Sequence, residues 1–207
     1  MGSTVLLDER MPAEHVEALT RMWEELGAFY VWQGPDQMGP SRGYLDFFVP
    51  RAGENPQDWV EYVESVTPFV VDIEGGSFTK VTAYVRPENA SMERISAALP
   101  DGYRAIIGSV GAAGYVPFEV LPTRLSKAVG IEAVCEHLGI PLSRSVAIGD
   151  SNNDVEAVAR AGVGISIGDG CEALVEVADI VATAVGDDGF AWAMAAAGLI
   201  DEAPNPA

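Results

Sequence analysis

Cysteine is scarce in this chain of 207 residues: only Cys135 and Cys171 occur, 36 positions apart, with no Cys-x-x-Cys pair and no histidine cluster beside them. That excludes a disulfide framework and a thiolate zinc site, so a reducing cytoplasm is the expected setting. Positive charge is scarce as well. Twelve Lys plus Arg stand against 31 Asp plus Glu, a formal charge of −19. A nucleic-acid partner is not expected, because a phosphate backbone releases its counterions only to a basic surface. No apolar run reaches the ~18 residues a membrane helix needs, and the longest candidate, Val181–Ile200, is interrupted by Asp187 and Asp188. Met1–Leu7 lacks the basic flank and long apolar stretch of a leader, so no membrane partner is expected either.

What is present is an alternation of short apolar runs and helical patterns. Thr4–Leu7 and Ala28–Trp32 read as strands flanking a helix from Pro12 to Leu26, where Val16, Leu19, Trp23 and Leu26 recur at helical spacing. After a Gly/Pro-rich hinge candidate, Gly34–Gly43, the texture changes from Tyr44 to about Gly114, with strands in clusters between short helices, as in an α+β module. After Pro117 the pattern is regular: strands at Phe118–Leu121, Ser145–Ile148, Gly164–Ile167 and Ile180–Ala182 alternate with helices. Such alternation predicts an α/β fold with a mostly parallel, Rossmann-like sheet covered on both faces. The expected division is a discontinuous core of 1–35 with 115–207, and an inserted α+β cap of 36–114.

The sharpest local feature is Gly149-Asp150-Ser151-Asn152-Asn153-Asp154, a strand end running into a turn of carboxylates and amides. Ligands of open α/β sheets sit beyond the carboxyl ends of strands, and hard oxygen donors suit Mg²⁺. An Asx-rich turn capping the next helix explains the same residues without a ligand. Lys127, one of only two lysines, opens the helix just upstream, where an ammonium can neutralise a phosphoryl oxygen or hold a carboxylate.

Glu119–Pro122, Lys127, Val146–Asp154, Ala161–Ile167, Ala178–Val181 and Asp188-Gly189 together resemble, in order, the C-terminal half of haloacid-dehalogenase-superfamily phosphatases. The likeness is closest to the Cof-like, phosphoglycolate, sucrose- and trehalose-phosphate phosphatase group. The resemblance implies Mg²⁺-dependent hydrolysis of a small phosphorylated metabolite through an aspartyl-phosphate. It implies Asp150 and Asp154 as metal ligands, Asn153 as support for the metal and the lysine, and Lys127 as the cation that steadies nucleophile and phosphoryl group.

The nucleophile of that group lies in Asp-x-Asp at the end of the first core strand, and no such triplet occurs in this sequence. Two alignments of the N-terminus stand open. Asp8 ends the nucleophile strand, with Arg10 where the acid belongs; a guanidinium cannot exchange protons near neutrality. Otherwise Asp8 and Arg10 end the second core strand, Arg10 binds substrate, and the first strand is absent. The first alignment predicts impaired turnover; in the second the sheet closes up, a homodimer or another chain supplies the strand, or residues upstream of this sequence carry it. A non-catalytic binding or assembly protein of the same fold is the alternative.

Overall fold

The computed structural model describes residues 4–51, 56–168 and 170–201. Expectations about Met1–Ser3 therefore lie outside the described residues. The chain divides into two compact units, Asp8–Thr123 and Met1–Leu7 with Arg124–Ala207.

The Asp8–Thr123 unit is built on a five-stranded antiparallel sheet. Its strands are β1 (Phe29–Gln33), β2 (Met38–Pro40), β3 (Lys80–Val85), β4 (Tyr103–Ile107) and β5 (Val116–Pro122), in the order β2-β1-β3-β5-β4. Helix α1 (Ala13–Glu25) follows Pro12, whose fixed φ of −55° suits a helix start. It buries Val16, Leu19 and Trp23 against one sheet face, where Trp32, Val81, Ala83, Phe118 and Val120 join the same cluster. Two short helices follow β2, α2 (Tyr44–Phe48) and α3 (Pro56–Val66). Tyr44, Phe47 and Phe48 of α2 pack with Val31 and Tyr84 in a second cluster. In α4 (Met92–Ala98), the Ser91 hydroxyl accepts the Arg94 N–H at 3.3 Å, the cap its position predicts.

The second unit holds a three-stranded parallel sheet, β6 (Val146–Gly149), β7 (Val163–Ile167) and β8 (Ile180–Ala182), in that order. Helices α5 (Lys127–Leu138), α6 (Val155–Arg160), α7 (Glu172–Val177) and α8 (Gly189–Ala196) alternate with the strands. Ala147, Ala157, Val158 and Leu174 form a cluster with α6 and α7, while Ile165, Ile167, Ala182 and Ala193 form another with α8. The parallel alternation expected for the C-terminal part is observed here.

Two expectations are corrected. Residues 4–10 form no strand: Val5 and Leu7 are 71% and 50% exposed, and no ladder takes them up. Both N-terminal alignments needed a parallel strand there, so neither describes the structure. The segments 28–32 and 118–121, read as parallel core strands, are β1 and β5 of the antiparallel sheet. The physical cause is burial: β1 is covered from both sides, and a strand buried on both faces reads like a parallel one. By contacts the chain divides at 7/8 and 123/124.

Candidate active site at the end of strand β6

The second unit gathers Lys127, Asp150, Asn153 and Asp154. Ser126 caps α5 through an N–H···Oγ bond from Val129 of 3.3 Å, which fixes Lys127 as the first helical residue. From there its Nζ donates to Asp154 Oδ1 at 2.5 Å. The lysine side chain is 54% exposed and the aspartate only 9%, so a solvent-facing cation is tethered by a buried anion.

Asp154 is held from both sides. Its Oδ2 accepts the backbone N–H of Asp150 and of Ser151, each at 3.3 Å, and the Ser151 hydroxyl at 3.2 Å. Burial is the largest influence on its carboxyl and raises the pKa, but Lys127 and the two backbone donors together hold it below the ordinary 3.8. Gly149 makes this approach feasible. A Cβ there would lie 2.3 Å from Asp154 Cβ and 2.9 Å from Oδ2, so the residue before Asp150 has to be glycine. The Asn153 side-chain oxygen accepts the Ser151 hydroxyl at 2.8 Å.

With both oxygens of Asp154 engaged, Asp150 is the exposed carboxylate of the turn and has no ion-pair or hydrogen-bond partner for its side chain among the described residues. No group of three metal-ligating side chains occurs among the described residues. The donors available are all oxygen, which fits Mg²⁺, an ion that commonly takes one or two carboxylates and keeps water for its remaining positions.

Asp8 and Arg10 belong to the other unit. The Arg10 guanidinium grips Asp8 through Nε–H and, at 3.0 Å, through Nη2. Its Nη1 donates to Ser77 O at 3.0 Å and Ser77 Oγ at 3.2 Å. The hydrogen bond from Arg10 lowers the Asp8 pKa. The pair therefore stitches the start of that unit to the turn before β3. A cavity of about 480 Å³ in the same unit, between α1 and Ile73–Gly76, is lined by none of the candidate site residues Asp8, Arg10, Lys127, Asp150, Asn153 and Asp154.

Two participants were not given a role from the sequence: Gly149 and Ser151. Only Gly149 carried a signal, a glycine immediately before an aspartate at a strand end. No described helix is long and apolar enough to cross a membrane.

The family model of haloacid dehalogenase-like hydrolases matches residues 2–194. Among curated proteins, the chain is 32% identical over 80 residues to 5-amino-6-(5-phospho-D-ribitylamino)uracil phosphatase YitU of Bacillus subtilis, covering 39% of this chain and 30% of that protein. It is 38% identical over 82 residues to the B. subtilis protein named putative phosphatase YkrA, covering 40% and 32%. With phosphoglycolate phosphatase of Aeropyrum pernix it shares 40% over 99 residues, covering 47% and 39%. The matches thus span about a third of the length of these relatives. Among solved structures, the subclass IIB sugar phosphatase BT4131 superposes with a TM-score of 0.69 at 21% identity, covering 95% of this chain and 70% of that one. A haloacid dehalogenase-like hydrolase of B. subtilis gives 0.70 at 18%, covering 90% and 71%. These likenesses establish the fold, and the family match covers nearly the whole chain. The chain belongs to the haloacid dehalogenase-like hydrolases.

Proposed function

We propose that this protein acts on a small phosphorylated metabolite, a sugar phosphate or a phosphoglycolate-like acid, binding its phosphoryl group at the carboxyl end of β6. The observation that carries this reading is the exposed Lys127 ammonium, tethered to Asp154 in the turn that presents Asp150. Hydrolysis at phosphorus depends mainly on positioning and on cations that neutralise the oxygens. Lys127 offers one such cation. Asp154 keeps it oriented. Asp150 would hold Mg²⁺, with Asn153 supporting the turn, and the ion would supply further charge neutralisation at the phosphoryl oxygens.

The attacking carboxylate is not assigned to Asp8, which is spent on Arg10 and ends no parallel strand. Strand β6 is an edge of its sheet among the described residues. A further parallel strand along that edge, from a second copy or another chain, would bring a carboxylate beside Asp150. The lack of any Asp-x-Asp triplet favours a second reading, a phosphate-binding protein without turnover.

Release of inorganic phosphate from 2-phosphoglycolate, glucose 6-phosphate and p-nitrophenyl phosphate by the full chain with Mg²⁺ separates the two. Hydrolysis that Asp150→Ala abolishes supports the enzyme; if a second copy supplies the strand, specific activity rises with protein concentration. Absence of hydrolysis at every concentration, alongside Mg²⁺-dependent phosphate binding, supports the binding protein.

A further inference from the structure

Ser166 lies in β7 between Ile165 and Ile167, which point into the cluster with α8. Side chains alternate across a strand, so Ser166 points to the opposite face, toward α6 and α7. Its register partner is Gly149, the residue whose missing side chain makes room for Asp154. Ser166 is 0% exposed, yet its hydroxyl oxygen has no hydrogen-bond partner among the described residues. Gly170, in the loop after β7, packs so closely that a Cβ there would lie 2.4 Å from Ser166 Oγ. That loop is joined to the Asp150 turn by the Cys171 N–H, which donates to Asp150 O at 3.3 Å.

A buried hydroxyl without a partner is costly and uncommon, and its location here is specific: it stands in register with the glycine that precedes the Asp150–Asp154 turn and against Gly170, next to the residue whose N–H bonds to Asp150 O. We propose that Ser166 is a positioning residue for the divalent-cation site, its hydroxyl gaining a hydrogen bond on the Asp150–Asp154 turn when the cation is bound. This rests on the reading of Asp150 as a Mg²⁺ ligand. The cost of the unpaired hydroxyl is then carried by the metal-free protein and relieved on binding. One group contributes with opposite sign to the two states.

The test is calorimetric titration of the full chain with MgCl₂, together with thermal unfolding with and without Mg²⁺. Ser166→Ala removes the unpaired hydroxyl, so the metal-free Tm rises by about 2–4 °C. The same change weakens Mg²⁺ binding about tenfold, the scale of lost outer-shell support. Gly170→Ala, whose Cβ displaces the hydroxyl, weakens Mg²⁺ binding to a similar degree and adds little in the Ser166→Ala background. A merely structural serine moves Tm alone. Unchanged Mg²⁺ affinity in Ser166→Ala, with binding lost in Asp150→Asn, overturns the role of Ser166 and leaves the cation site standing. Retained binding in Asp150→Asn overturns the cation site and the role of Ser166 with it. A lower metal-free Tm in Ser166→Ala contradicts the hydroxyl's being unpaired.

Discussion

Lys127 and Asp154 divide one task between them: the aspartate is buried and fixed, the lysine is exposed and reaches outward. Such a pair adds little stability, about 1 kcal/mol or less, because the cation is more than half in solvent. Its use is to hold a charge in place. The depressed Asp154 carboxyl gives this a pH signature. Its contribution is complete above the ordinary 3.8 and is lost as pH falls through the lower value of the folded state. Replacing Lys127 by Met, which retains the stem, therefore lowers stability at pH 7, and the gap from the parent narrows below pH 3.8. Urea unfolding at pH 7 and pH 3 checks this; a gap of constant size would show that Lys127 does not set the ionisation of Asp154. The lysine and the acidic turn were visible in the sequence because rare residue types stood at strand and helix ends. Asp8 and Arg10 were misplaced for the same kind of reason. A carboxylate after Val5-Leu6-Leu7 looks like a strand end, but only a ladder partner makes a strand, and the sequence does not display partners.

At the scale of elements, the second unit was the more legible half. Each of β6, β7 and β8 is a short apolar run followed by a helical pattern, and local signals such as Ser126 and the left-handed Gly139 mark the ends of α5. The antiparallel sheet was hidden by its own packing. Tyr44, Phe47 and Phe48 cover the second face of β1 and β3, erasing the alternation that distinguishes a half-exposed strand. Glycine makes the packing of elements testable, since one substitution has opposite signs at two addresses. At Gly164 of β7 a Cβ would lie 2.2 Å from the Val158 carbonyl oxygen, so Gly164→Ala pushes β7 from α6 and costs about 1–3 kcal/mol. Within α5 a Cβ on Gly130 meets nothing within 4 Å, and Gly130→Ala gains about 0.4–1 kcal/mol. Denaturant midpoints of the two variants measure both, and a stable Gly164→Ala would contradict the close approach of strand and helix.

At the scale of the whole molecule, the scarcity of positive charge acquires a consequence. A protein with a formal charge of −19 repels a phosphate dianion at long range, so any phosphate affinity has to come from local cations. The residues assembled at the end of β6 provide Lys127 and a carboxylate suited to Mg²⁺, and curated relatives that the chain matches over part of their length are named phosphatases. Phosphate binding is therefore the most direct measure of whether this site does what its geometry supports. Titration of the full chain with inorganic phosphate at about 0.15 M salt, where surface charge is screened beyond about 8 Å, is predicted to show binding that requires Mg²⁺. Lys127→Met and Asp150→Asn are each predicted to weaken it at least tenfold. Phosphate binding that is absent with Mg²⁺, or equal in parent and both variants, would contradict the assignment of this turn as the phosphoryl site.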